Sequence, residues 1–74
     1  MNNIMANNLR TEILKDCFNS KIGEDDIRVG LSKRHIGYFT VIIKKELTQN
    51  VYVKSKIKGL ETYYSEDKNF LIIN

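Results

Sequence analysis

The sequence predicts a small α+β domain, in which one N-terminal amphipathic helix packs on an antiparallel meander sheet of about four strands to form two layers. Three observations support this class: a length of 74 residues, helical spacing of apolar residues near the N-terminus, and a change to a spacing of two further along. We therefore interpret residues 1–74 as one small globular domain. A chain of this length has a thin core, which disfavours an enclosed active-site cavity.

The first element is an amphipathic helix over residues 4–22. Its apolar residues recur at intervals of three and four, which places them on one stripe. Asn3 is a candidate N-cap and Gly23 a candidate left-handed C-terminal residue. Arg10 falls within the apolar stripe, so we expect it to overhang the sheet or to meet a carboxylate or a partner. The stripe contains Met5, Ala6, Leu9, Ile13, Leu14, Cys17 and Phe18.

Between residues 27 and 57 the apolar side chains fall on odd numbers, which predicts antiparallel strands with one buried face. A first hairpin turns at residues 32–36. A second is predicted to turn at residues 48–50, with Ile43 opposite Ser55 and Lys44 opposite Lys54. The odd-numbered apolar residues are Ile27, Val29, Leu31, Phe39, Val41, Ile43, Leu47, Val51, Val53 and Ile57.

After Lys58 the pattern is ambiguous because Gly59 interrupts the alternation. Residues 60–65 fit either a strand or a short helix, and the strand is favoured. Residues 65–69 form a polar, turn-like segment, and Phe70–Ile73 is a short apolar run typical of a covered strand.

Charge is segregated along the chain. Twelve Lys and Arg against nine Asp and Glu give a net charge of +3. Residues 28–58 carry eight basic groups and only Glu46 as an acid, a local charge of +7, while each flanking segment carries −2. This asymmetry favours a polyanionic partner.

The even-numbered face of the predicted sheet is basic and partly aromatic. Lysines would attract phosphates, and tyrosines would offer planes for base stacking. We therefore expect a small non-enzymatic regulatory or accessory protein that binds nucleic acid or a nucleoprotein with weak sequence preference. The alternative for these lysines is a solvated face that prevents aggregation of strand edges. The candidate residues are Lys33, Arg34, Tyr38, Lys44, Tyr52, Lys54, Lys56 and Lys58.

A second hypothesis is a protein-binding inhibitor or adaptor, the kind of compact domain that phages and mobile elements often encode. It would act through an exposed strand edge, here Phe70–Ile73, and through aromatic anchors. Homodimerisation through the same edge is compatible with both hypotheses. The candidate residues are Tyr63, Tyr64, Phe70 and Ile72.

Catalytic, metal and cofactor sites are not expected. Cys17 and His35 are each alone, which excludes an intramolecular disulfide and leaves too few ligands for zinc. A catalytic pair with Cys17 as nucleophile and His35 as base is not favoured. His35 is most simply a surface residue, and its functional interpretation is a phosphate contact. Residues 24–26 are more simply an acidic turn than a magnesium site. With no signal peptide and no run of membrane-spanning length, we expect a cytoplasmic protein without a membrane partner.

Overall fold

The computed structural model describes residues 1–16 and 22–74 of the chain. It shows an α+β fold in which two helices lie on one face of a four-stranded antiparallel sheet, and this confirms the predicted class. The predicted helical positions Cys17 and Phe18 lie outside the described residues. The elements are α1 (Asn3–Asp16), β1 (Ile27–Leu31), β2 (Phe39–Lys44), α2 (Val51–Ile57), β3 (Thr62–Tyr64) and β4 (Phe70–Ile73), with 3₁₀ turns at Glu24–Asp26 and Lys45–Gln49.

Helix α1 forms as its apolar spacing predicts, but both predicted caps differ. The side chain of Asn2, rather than Asn3, accepts a hydrogen bond from the Met5 N–H at 2.8 Å. Gly23 is not left-handed: its φ of −92° and ψ of 164° are extended. The residue leads into the 3₁₀ turn, and its N–H donates to the Asp26 carboxylate at 2.8 Å.

The strands are ordered β1-β2-β4-β3, and all neighbours are antiparallel. The first predicted hairpin forms, and in it Val29 pairs with Val41. Because β4 lies between β2 and β3, its backbone is paired on both sides. The prediction that Phe70–Ile73 forms an exposed edge is therefore wrong, and the order is not that of a simple meander. The edge strands are β1 and β3.

Residues 51–57 form a helix, so the predicted second hairpin is wrong. The Asn50 side chain caps this helix by accepting from the N–H groups of Tyr52 at 2.8 Å and Val53 at 3.3 Å. Val53 is fully buried, and Gly59, with a φ of 84°, is left-handed just after the helix. Capping at both ends and burial of an apolar stripe outweigh the weak strand preference of this segment.

The predicted pairs across the second hairpin are absent as a result. Ile43 pairs with Ile27 and Leu71 rather than with Ser55, and Lys44 pairs with Phe70 rather than with Lys54.

The two faces of the sheet differ in what covers them. Odd-numbered residues of β1, β2 and β4 pack in the core with residues of both helices, except Leu31 at the end of β1, which is exposed. Even-numbered residues of the same strands point to the other face, because side chains alternate along a strand. We call this second surface the open face. The buried core consists of Ala6, Leu9, Ile13, Ile22, Ile27, Val41, Ile43, Val53, Leu71 and Ile73.

Candidate functional site

A groove of about 750 Å³ runs along the open face. We call it the sheet groove. Its lining carries four cationic and two acidic side chains, for a net charge of +2. It is lined by Arg28, Lys33, Arg34, Ile42, Tyr63, Tyr64, Ser65, Glu66, Asp67, Lys68, Phe70 and Ile72.

The floor of the sheet groove is apolar and partly aromatic. Ile42 on β2 pairs with Ile72 on β4, which pairs in turn with Tyr63 on β3. Residues paired in this way lie on the same face, so the three side chains form a row across three strands. Phe70, two residues before Ile72, lies beside this row. All four residues are half-buried, so the floor remains accessible.

Cationic side chains lie over the aromatic rings at the groove. The guanidinium carbon of Arg34 is 3.7 Å from the centroid of the Tyr63 ring, and that of Arg28 is 5.6 Å from the Phe70 centroid. The Lys45 ammonium is 5.8 Å from the Tyr64 centroid. These distances are typical of cation–π contacts, and a planar guanidinium stacks well on a ring. The pairs place positive charge and flat apolar surface side by side.

The loop between β1 and β2, residues 32–38, positions Arg34. The Ser32 hydroxyl oxygen accepts from the backbone N–H groups of Arg34 at 3.2 Å and His35 at 3.0 Å. Gly37, with a φ of 86°, supplies the left-handed residue of this loop. Since Tyr63 lies on the far edge strand, the loop has to fold across the open face for Arg34 to reach it. It thereby borders the sheet groove.

Glu61, the residue before β3, binds side chains of this loop. Its carboxylate lies 3.6 Å from the Arg34 guanidinium and 3.3 Å from His35 Nε2, and it accepts from the Asn74 amide at 3.1 Å. These hydrogen bonds from Asn74 and His35, helped by the charge of Arg34, lower the pKa of Glu61. The carboxylate therefore stays ionised and holds the cationic loop in place.

Lys44 lies on the open face as predicted, but it has an anionic neighbour. Its ammonium is 3.0 Å from the Asp26 carboxylate. The hydrogen bond from the Gly23 N–H and the contact with Lys44 lower the pKa of Asp26, and the Asp26 carboxylate raises the pKa of Lys44. Lys44 thus adds less free positive charge than the sequence suggests.

The predicted turn at residues 65–69 is confirmed, and it forms the acidic end of the groove. The Asp67 carboxylate accepts from the Ser65 hydroxyl at 2.6 Å and from the Asn69 N–H at 3.0 Å, and these bonds lower its pKa. Lys68 adopts a left-handed φ of 64°. The Asp67 carboxylate thus already accepts two hydrogen bonds from within the turn.

Four predicted nucleic-acid-binding residues lie elsewhere, and their assignment to the sheet face is wrong because residues 51–57 are helical. Lys56 faces α1, with its ammonium 2.8 Å from Asp16 and 3.9 Å from Glu12. The other three are exposed beside the helical layer. The four residues are Tyr52, Lys54, Lys56 and Lys58.

The structure brings members of the two predicted sets together in one groove. Lys33 and Arg34, expected to bind phosphate, line the same groove as all four residues expected to anchor a protein: Tyr63, Tyr64, Phe70 and Ile72. Tyr38, which is 53% exposed just before β2, and Lys44 do not line the groove.

Sequence reasoning missed the pairing of Arg28 with Phe70 and the contribution of Lys68. The even number of Arg28 placed it on the same face as Ile42, which was a usable signal. No local pattern indicated that β4 would insert beside β2 and bring Phe70 to Arg28.

Arg10 has a simple structural role. Arg10 donates from Nε to the Ile27 carbonyl and from Nη2 to the Glu24 carbonyl, both at 2.9 Å. Its partners are thus backbone carbonyls rather than a carboxylate.

Within residues 1–16 and 22–74, no cluster of three or more His, Cys, Asp or Glu side chains could hold a metal ion. Over the same residues, no helix is long and apolar enough to cross a membrane.

Comparison with protein-family models, curated proteins and solved structures finds no match for this chain. The chemistry of the sheet groove has to be inferred from its own residues.

Proposed function

We propose that this chain is a small, cytoplasmic, non-enzymatic accessory protein that binds single-stranded nucleic acid in the sheet groove. The observation that carries the proposal is the pairing of guanidinium groups with aromatic rings along an accessible apolar floor. Nucleobases stack on such rings, and phosphates bind such cations.

Single strands fit this groove better than duplexes. Stacking on Phe70, or on the Arg34 guanidinium that covers Tyr63, requires an unpaired base with an exposed face. The sheet groove offers a flat floor rather than a protruding helix that could enter a major groove. Lys33 and Lys68 line the same groove and would contact the phosphates between stacked bases.

Weak sequence preference follows from the lining. Stacking and phosphate contacts distinguish bases poorly, because every base has an aromatic face. Asn and Gln, which read base edges through paired hydrogen bonds, are absent from the described lining of the groove.

Fluorescence anisotropy with labelled oligothymidine and oligouridine, titrated at several salt concentrations, tests this proposal. For a single strand, the log of the binding constant falls with log salt by about 0.7 per neutralised phosphate. We expect a slope near −2, which corresponds to about three phosphates. The double variant Lys33→Ser/Arg34→Ser is expected to weaken binding about tenfold and to reduce the slope.

The matched control is Lys54→Ser/Lys58→Ser, which removes the same charge from the helical layer. We expect this control to retain nearly all of the affinity. Absence of binding at low salt, or equal losses in the two variants, would exclude the sheet groove as the nucleic-acid surface. Circular dichroism of both variants checks that the fold is retained.

A protein partner is the second candidate, and the half-buried apolar residues Ile42, Phe70 and Ile72 favour it. A protein-binding inhibitor or adaptor would use these residues as anchors in the same groove. It would bind one protein with little salt dependence and would not bind the oligonucleotides.

A further inference from the structure

The outer edge of β1 carries backbone groups that the sheet does not use. The N–H of Ser32 donates to the carbonyl of Tyr38 at 2.9 Å, so the backbone of Ser32 bonds toward β2, while the Tyr38 N–H donates to the His35 carbonyl. Because hydrogen-bonded and non-hydrogen-bonded positions alternate along an antiparallel ladder, Gly30 also bonds toward β2. The backbone groups of Val29 and Leu31 therefore point away from β2.

Arg10 already occupies part of this edge. Its side chain donates to the carbonyl of Ile27 at 2.9 Å, so that acceptor is satisfied. In the part of the chain that the structure describes, no group pairs with the outward N–H and C=O groups of Val29 and Leu31. An open groove of about 560 Å³ lies beside this edge, bordered by α1 residues Asn7 and Arg10.

We propose that a second copy of this chain pairs with the β1 edge, antiparallel and across a two-fold axis at Gly30. Val29 of each copy then lies opposite Leu31 of the other. Both residues of each pair contribute one N–H and one C=O. The symmetric arrangement uses the open groups of Val29 and Leu31 on both copies and leaves the Arg10 bond to Ile27 intact.

The side chains fit this register. Leu31 is 71% exposed, which is unusual for a leucine in a strand, and in the dimer it packs against the half-buried Val29 of the second copy. Arg28 lies opposite Ser32, so the two copies of Arg28 do not face each other. The two copies of Gly30 meet at the axis without side chains. Centring the axis on Val29 instead would require the Ile27 carbonyl that Arg10 holds.

The dimer would form one continuous sheet, with both helical layers on one side and both sheet grooves on the other. Dimerisation stands independently of nucleic-acid binding, since the β1 edge is separate from the groove floor.

The mass of the protein in solution, measured by light scattering across a concentration series, tests the proposal. We expect twice the chain mass of 8.6 kDa. Leu31→Pro removes an outward N–H while sparing the bonds to β2, so it is expected to return the protein to the single-chain mass. A wild-type protein that remains monomeric throughout the series would overturn the proposal.

The matched control is Thr62→Pro at the other edge of the sheet. The bonds from the Asn74 N–H to the Glu61 carbonyl and from the Ser65 N–H to the Phe70 carbonyl show that the Thr62 N–H points outward. This variant is expected to remain dimeric. Loss of the dimer with Thr62→Pro and its persistence with Leu31→Pro would place the interface at β3 and overturn the proposal.

Disulfide cross-linking in a Cys17→Ser background tests the register. Residues in a non-hydrogen-bonded antiparallel pair have Cα atoms about 4.5 Å apart, within the range that a disulfide spans. Gly30→Cys is expected to cross-link with itself. Arg28→Cys is expected to cross-link only when mixed with Ser32→Cys. Self-linking of Arg28→Cys as fast as that of Gly30→Cys would overturn the two-fold axis.

Discussion

The two faces of the sheet are built from the same strands but differ in burial. On the covered face, Val41, Ile43 and Ile73 are fully buried under two helices. On the open face, their neighbours Ile42 and Ile72 stay half-buried between cationic side chains. Strand alternation thus separates a buried surface from an accessible one: the odd-numbered residues supply the core, and the open face carries the groove in which we propose that a ligand binds.

The largest expected effect is the loss of folding stability caused by a substitution on the covered face, compared with one on the open face. Ile43→Ala leaves a cavity in the core and is expected to destabilise the domain by about 2–5 kcal/mol. Ile42→Ala, one residue earlier on the open face, is expected to cost less than half as much because its side chain is only partly buried. Urea denaturation followed by circular dichroism measures both. Equal losses would contradict the assignment of faces, and Ile43→Val provides a milder variant if Ile43→Ala does not fold.

The next largest effect is the loss of oligonucleotide affinity caused by a substitution on the open face, compared with one on α2. Phe70→Ala removes a stacking ring and is expected to lower oligonucleotide affinity by about 1–3 kcal/mol, or about five- to 150-fold. Tyr52→Ala removes a ring that is 56% exposed on α2 and is expected to leave the affinity unchanged. Fluorescence anisotropy at fixed salt compares the two variants. A larger loss for Tyr52→Ala would move the binding surface to the helical layer.

A smaller effect concerns the helix that covers the core. Asn50→Ala removes the N-cap of α2 and is expected to destabilise the domain by about 1 kcal/mol, whereas Asn50→Asp retains a capping oxygen and is expected to cost less. Thermal unfolding provides the measurement. Identical midpoints for the two variants would contradict the capping role.

The smallest effect concerns the ion pair at the end of the open face. Since the folded-state pKa of Asp26 is lowered from 3.8, its ionised form stabilises the native state above that pH, and this contribution disappears as pH falls through the folded pKa. Asp26→Asn is expected to be less stable than wild type near neutral pH and equally stable at about pH 2. Urea titrations at the two pH values measure the difference. A constant difference would contradict the ionic contribution.

The first half of the fold could be predicted from the sequence because its signals are local. The apolar stripe of α1 and the alternation from Ile27 to Ile43 each specify one element and the face it buries. Residues 51–57 also place apolar side chains on odd positions, but Val53 and Ile57 are four apart and fit a helix equally well. The Asn50 cap and the glycine at position 59 decide the outcome.

The sheet groove was only partly predictable. Lys33, Arg34 and the residues of β3 and β4 could be named as candidates, but as members of two separate surfaces. These residues lie in one groove because β4 pairs with β2, which is a long-range contact. Sequence alternation specifies which face a side chain occupies but not which strand lies beside it.

The most direct test of the central claim is amide chemical-shift mapping by NMR during titration with oligothymidine. We expect the shifts to concentrate at Arg28, Ile42, Tyr63 and Phe70, with α2 nearly unchanged. Shifts concentrated on α2, or no shifts at low salt, would contradict binding on the open face.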